Sequence, residues 1–190
     1  MRHHWLERLV AVALIALPAG STIAAPDFFV PISAAKAVSR NSETPRLAQV
    51  RVTDVRTLAS RALEVTTIGG LSMGQIRLET SVPDLVQEVI ETKADEVLVR
   101  RGVTEAQTVS CGILAFEVAT PATPLYWDIR ARIELGLRVG GQERTVTGAA
   151  AERTFLWPTK EIIGRVTTTA LQQVGIEAGR ALEELFAPPR

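Results

Sequence analysis

From Leu125 to Val139 the chain alternates between apolar and polar positions. Leu125, Trp127, Ile129, Ala131, Ile133, Leu135, Leu137 and Val139 fall on one side, and Tyr126, Asp128, Arg130, Arg132, Glu134 and Arg138 on the other. A period of two sustained this long predicts a strand with one buried and one wet face, and therefore an antiparallel sheet. Gly140 and Gly141 then read as a two-residue hairpin turn, with a return strand to about Phe155. Pairing Val139 with Gln142 sets Arg138 opposite Glu143 and Asp128 opposite Arg153, two opposite-charge pairs on the wet face. The same register places Val146, Gly148 and Ala150 on the buried face. It also sets Glu152 opposite Ile129 there, so a bulge or an exposed end is expected near Glu152.

Helical spacing occurs in two places. Across 81–101 the apolar positions Val82, Leu85, Val86, Val89, Ile90, Ala94, Val97 and Leu98 form one stripe, with Glu88, Glu91, Lys93, Asp95 and Glu96 mostly on the wet side. Ser81 is the expected N-cap, with Pro83 in the first turn, and Gly102 is the expected stop. A second helix is predicted from about Thr159 to Phe186, following Pro158. Gly164, Gly175 and Gly179 weaken its intrinsic propensity, so packing must hold it, and these small residues are expected to let it approach the sheet. Shorter signals predict strands at 26–33, 50–56, 75–79 and 108–118, a linker over 33–46 and a loop over 68–74.

The resulting order is strand, helix, three antiparallel strands and helix, with an additional N-terminal strand. This is an α+β fold: a two-layer sandwich, mostly antiparallel sheet, with two helices on one face. The organisation expected is a signal peptide over 1–24, an N-terminal strand and linker over 25–47, one α/β domain over 48–186 and a short tail over 187–190.

The N-terminus adds a compartment. Arg2 and Arg8 precede an uninterrupted apolar run from Leu9 to Leu17, and small residues follow to Ala24. The run is shorter than the ~20 residues of a membrane-spanning helix and suits a secretory signal cleaved after Ala24. The alternatives are an uncleaved N-terminal anchor or a buried helix. Leu17-Pro-Ala-Gly-Ser21 has the form of a bacterial lipoprotein signal box with Ser in place of the acceptor Cys, although small residues are common at signal ends.

Composition narrows the chemistry. His3 and His4 are the chain's two histidines, so the exported part would carry none, which excludes Ser-His-Asp and Cys-His catalysis and histidine-ligated zinc. The single cysteine, Cys111, has no intrachain disulfide partner and reads as a small buried hydrophobe within a strand. With 21 basic and 21 acidic residues the chain lacks the charge excess of a nucleic-acid binder or a polybasic membrane patch. The glycines at 69, 70 and 74 lack the Lys-Ser/Thr of a phosphate-binding loop and read as a turn.

The segment from Val52 to Thr57, the helix ending in Arg100-Arg101-Gly102 and the long hairpin with its following helix resemble YajG-type proteins, small bacterial envelope lipoproteins. The resemblance covers about residues 48–185. It implies an envelope location and a binding or structural role. The absent lipidation cysteine favours a soluble periplasmic form, with peripheral or no membrane contact.

Four residues stand out as interaction candidates. Asp54 and Arg56 could hold a polar ligand, or form a local ion pair or turn cap. Trp127 and Trp157 flank the far end of the hairpin, as core-edge residues or as an exposed patch. Asp128, Glu134 and Glu152 could imitate the carboxylate pair of a glycosidase, but they alternate with arginines and read as a solvated charged face. No catalytic, cofactor-binding or metal-binding residue is expected. The leading expectation is a non-enzymatic envelope protein with an envelope protein partner. The alternative is an auxiliary component of an envelope lipid or solute transporter, holding an apolar ligand between helices and sheet.

Overall fold

A computed structural model describes residues 27–40, 43–61, 63–66 and 72–187. The elements in chain order are β1 (Asp27–Val30), α1 (Ala34–Ala37), β2 (Ala48–Asp54), α2 (Leu58–Arg61), β3 (Glu64–Thr66), β4 (Ser72–Leu78), α3 (Val82–Arg100), β5 (Gln107–Ala119), β6 (Trp127–Val139), β7 (Gln142–Thr154) and α4 (Lys160–Leu185). The expected signal peptide and its cleavage site lie outside the described residues.

The main layer is a four-stranded sheet in the order β2-β5-β6-β7. β5, β6 and β7 are antiparallel, as their alternation predicts, while β2 runs parallel to β5. After β2 the chain passes through α2, β3 and β4 before α3 carries it back along the sheet, and this long crossover lets β5 run parallel to β2. α3 and α4 cover one face. The fold is α+β, a two-layer arrangement of mostly antiparallel sheet under two long helices. A second, three-stranded sheet in the order β1-β4-β3 was not expected. β3 has three residues, too few for an alternating pattern, and β4 begins at Ser72, inside the segment predicted to be a loop. The backbone N–H of Thr66 donates to the buried Thr120 hydroxyl at 3.1 Å, tying the small sheet to the chain just after β5.

The hairpin follows the predicted register through thirteen pairs, from Val139 with Gln142 to Trp127 with Thr154. Gly140 and Gly141 have φ of 55° and 87°, left-handed values that glycine adopts without strain. No bulge forms at Glu152. It remains opposite Ile129, half-buried, and Arg165 of α4 reaches it with two hydrogen bonds of 2.9 and 2.5 Å. The register shift falls in β5 instead, between Ile113 and Ala115. Leu125 lies before β6 and is exposed rather than on its buried face.

α4 approaches the sheet closely, through a glycine of the sheet. A methyl group at Gly148 would collide with the backbone oxygen of Ala170 and the backbone nitrogen of Val174. The helix glycines face elsewhere: Gly164 lies against Val30, and Gly175 against Val89 and Val38. The segment predicted to be a linker is likewise packed. Its Ala34 and Val38 join the same buried cluster as the residues of the main sheet, together with Val30 and Ile32 before it. Asp95 is buried rather than wet and holds that segment in place. Its carboxylate accepts from the backbone N–H groups of Leu47 and Ala48, both at 2.7 Å, and from the Arg40 guanidinium at 2.5 Å. Among the described residues no buried side-chain nitrogen or oxygen lacks a hydrogen-bond partner.

Two substitutions test this packing by urea denaturation. Gly148→Ala forces the two layers apart and should cost about 2 kcal/mol or more. Asp95→Ala leaves two backbone donors unmet and should cost about 2–3 kcal/mol.

Candidate functional site

Among the described residues, the largest group of exposed apolar side chains lies where β6 begins and β7 ends. Thr123 shapes the entry to β6. Its hydroxyl donates to the Tyr126 carbonyl oxygen at 3.0 Å and accepts from the Tyr126 and Leu125 backbone N–H groups at 3.0 and 3.3 Å. This tight turn, carrying Pro124, pushes Leu125 outward to 78% exposure. On the exit side the Thr154 hydroxyl accepts from Leu156 N–H at 3.1 Å, and Pro158 precedes the Thr159 N-cap of α4. Between these fixed points Phe155 and Leu156 are each 76% exposed.

The aromatic rings lock the two segments together. Trp127 and Trp157 meet edge to face, with centroids 4.9 Å apart. Trp127 packs on the core, while Trp157 remains 43% exposed. Tyr126 meets Phe155 edge to face at 6.4 Å, and the Arg153 guanidinium lies 3.8 Å from the Tyr126 ring centroid. Arg153 also hydrogen-bonds Asp128 at 2.9 Å, as the cross-strand register requires. The site is thus an apolar tip with a charged collar.

Asp54 and Arg56 form a structural clasp. The guanidinium grips the carboxylate through hydrogen bonds of 2.9 and 2.8 Å, donates to the Phe116 carbonyl oxygen at 3.1 Å, and is buried. The Asp54 carboxyl is held below its ordinary value by the hydrogen bond from Arg56. None of these contacts reaches either tryptophan, so the structure gathers the tryptophans at one place and the Asp54–Arg56 pair at another. Sequence reasoning missed Leu125, Phe155 and Leu156 as parts of the tip. Phe155-Leu156 beyond the last cross-strand pair was the available signal.

The three carboxylates singled out from the sequence are each paired with arginine, Asp128 and Glu134 on the open sheet face and Glu152 on the helix-covered face. Asp128 is bonded by Arg153 and Arg130, Glu134 by Arg132, and Glu152 by Arg165. Hydrogen bonds from Arg153 and Arg165 hold Asp128 and Glu152 below their ordinary values, the reverse of what a general acid needs. Burial pushes the Cys111 thiol up to about 12, so little thiolate exists at neutral pH. Among the described residues no group of three or more His, Cys, Asp or Glu could hold a metal ion, and no helix is long and apolar enough to cross a membrane.

No family model matches the chain, and no curated protein matches it. Solved structures give distant likenesses. One is a DUF330 protein from Xanthomonas campestris, at 14% identity and a TM-score of 0.46, covering 83% of this chain and 95% of that one. A second, uncharacterised protein stands at 11% identity and 0.44, covering 82% and 97%. A third, a candidate lipoprotein from Caulobacter crescentus CB15, stands at 8% and 0.31, covering 71% and 85%. Likenesses this distant carry no activity across.

The Asp54 clasp yields a pH test. A carboxyl whose native pKa is lowered stabilises the fold fully above the ordinary aspartate value of 3.8, and that contribution is lost as pH falls through the lowered native value. Asp54→Asn should therefore be less stable than the wild type at pH ~7, with the gap closing below about pH 4, in denaturation curves at a series of pH values.

Proposed function

We propose that this chain is an exported, non-catalytic protein of the bacterial cell envelope that holds a partner protein on its aromatic tip. The observation that carries this reading is the clustering of exposed Leu125, Phe155, Leu156 and Trp157 on two segments fixed by hydrogen bonds and ring contacts. Contiguous apolar surface of this kind marks interaction sites, and aromatic side chains dominate binding energy at protein interfaces. Arg130 and Arg153, both exposed and bonded to Asp128 beside the tip, supply the polar rim such interfaces have.

Export is supported by the three-part layout of residues 1–24 and by the resemblance to YajG-type envelope proteins. Ser21, at the position of a lipid-acceptor cysteine, supports an unlipidated periplasmic form. An auxiliary transporter role in which an apolar ligand sits between helices and sheet is less favoured. At Gly148 the two layers meet backbone to backbone, with no space for an acyl chain there.

A photo-crosslinking residue placed at Leu156 of the full chain in living cells should give one discrete protein adduct in the envelope fraction. The same residue at exposed Gln87 should not give it, and Trp157→Ala should weaken it. Mass analysis of the adduct should find this chain starting at Ala25. No adduct, or adducts with lipid alone, would overturn the proposed partner.

A further inference from the structure

We propose that the free edge of β7 pairs with β7 of a second copy, antiparallel and centred on Gly148, so that two four-stranded sheets join into one. β7 is the terminal strand of its sheet, and among the described residues it pairs only with β6. It is thirteen residues long and carries no Pro and no bulge, two of the devices that normally protect an edge, and its charged residues are confined to its two ends.

The hairpin fixes which groups the edge presents. In a two-residue hairpin the residues flanking the turn exchange both backbone hydrogen bonds. Gln142 therefore bonds to Val139, and with the register unbroken every second residue from Gln142 bonds to β6. The residues between them, from Glu143 through Thr147 and Ala149 to Arg153, direct their N–H and C=O groups to the free edge. A second strand must match these positions to one another, which also keeps the same sheet face outward in both copies.

Charge selects the register among those allowed. With Gly148 on the two-fold axis, Glu143 faces the second copy's Arg153 on the open face. On the helix-covered side, Arg144 faces the second copy's Glu152. Shifting the axis by one residue breaks both matches. Between these charged ends lies an uncharged stretch from Thr145 to Ala151, whose small residues suit close strand approach. Each charge already has a partner within its own chain: Glu143 with Arg138, Arg153 with Asp128, Arg144 with Glu184, and Glu152 with Arg165. In the dimer each would sit between two opposite charges. A pair symmetric about one axis also closes on itself and leaves no β7 edge free for growth.

The test is the solution mass of the full chain by light scattering over a dilution series, with circular dichroism to confirm folding. The wild type should be a dimer. Glu143→Arg sets like charges opposite each other twice per dimer and should weaken association about tenfold. Glu143→Arg with Arg153→Glu restores the pairing between copies and should restore the dimer. Within one chain that double variant brings a second guanidinium beside Arg138 and a second carboxylate beside Asp128, so a purely intrachain role would make it the worst of the three. As a separate measure, Thr147→Cys with Ala149→Cys should give a disulfide-linked dimer on oxidation, since these positions would be directly opposed. A wild type that remains monomeric at every concentration, or a double variant no better than the single, overturns the proposal.

Discussion

Two adjacent glycines with positive φ set the register of the longest hairpin, and most of the molecule follows from that register. Because the turn between β6 and β7 has two residues and the ladder carries no bulge, each of the thirteen pairs is fixed by the first. The ladder decides that Ile133, Leu135 and Leu137 face the helices while Arg130, Arg132 and Arg138 face water. It brings Asp128 under Arg153 and places Gly148 where α4 crosses. It also brings the two ends of the hairpin together so that Trp127 and Trp157 can touch. A slip of one residue would send every one of these side chains to the opposite face.

Two polar arrangements hold the rest of the chain to this frame. Asp95 receives two backbone amides and a guanidinium, and so fixes the point at which the N-terminal segment enters β2. Arg56 spans from Asp54 to the backbone of β5 and fixes the point at which the chain leaves β2. β2 is an edge strand with one hydrogen-bonded neighbour, and these arrangements secure it at both ends. Both use charge-assisted hydrogen bonds in sheltered positions, where such bonds are strongest.

The main sheet was legible because its strands are long and half-buried, which writes a period of two into the sequence. α3 and α4 were legible from their stripes and from Ser81, Pro158 and Thr159. Of the small sheet, strands were predicted where β1 and β4 lie, but three-residue β3 cannot display a period and the pairing of the three was not legible. Asp95 was misread because its helical position allows either face, and only the distant Leu47 and Ala48 amides explain its burial. Glu152 was correctly placed opposite Ile129, but its solution lay in Arg165, on an element the strand pattern does not address. At the tip, Trp127 and Trp157 were found from sequence because they flank the hairpin. The outward turn of Leu125 depends on the Thr123 hydroxyl, a local hydrogen-bond choice that competes with strand extension.

The unbroken hairpin also sets a length scale. Thirteen residues of extended chain span about 40 Å, so the aromatic end and the glycine turn stand that far apart, at opposite ends of the hairpin. A twisted ladder of this kind, braced along one side by a helix of 26 residues, is stiff in bending. Gly148 lies midway along it, where the sheet meets the α4 backbone, so the half that bears the glycine turn and the half that bears the aromatic end are braced by the same helix.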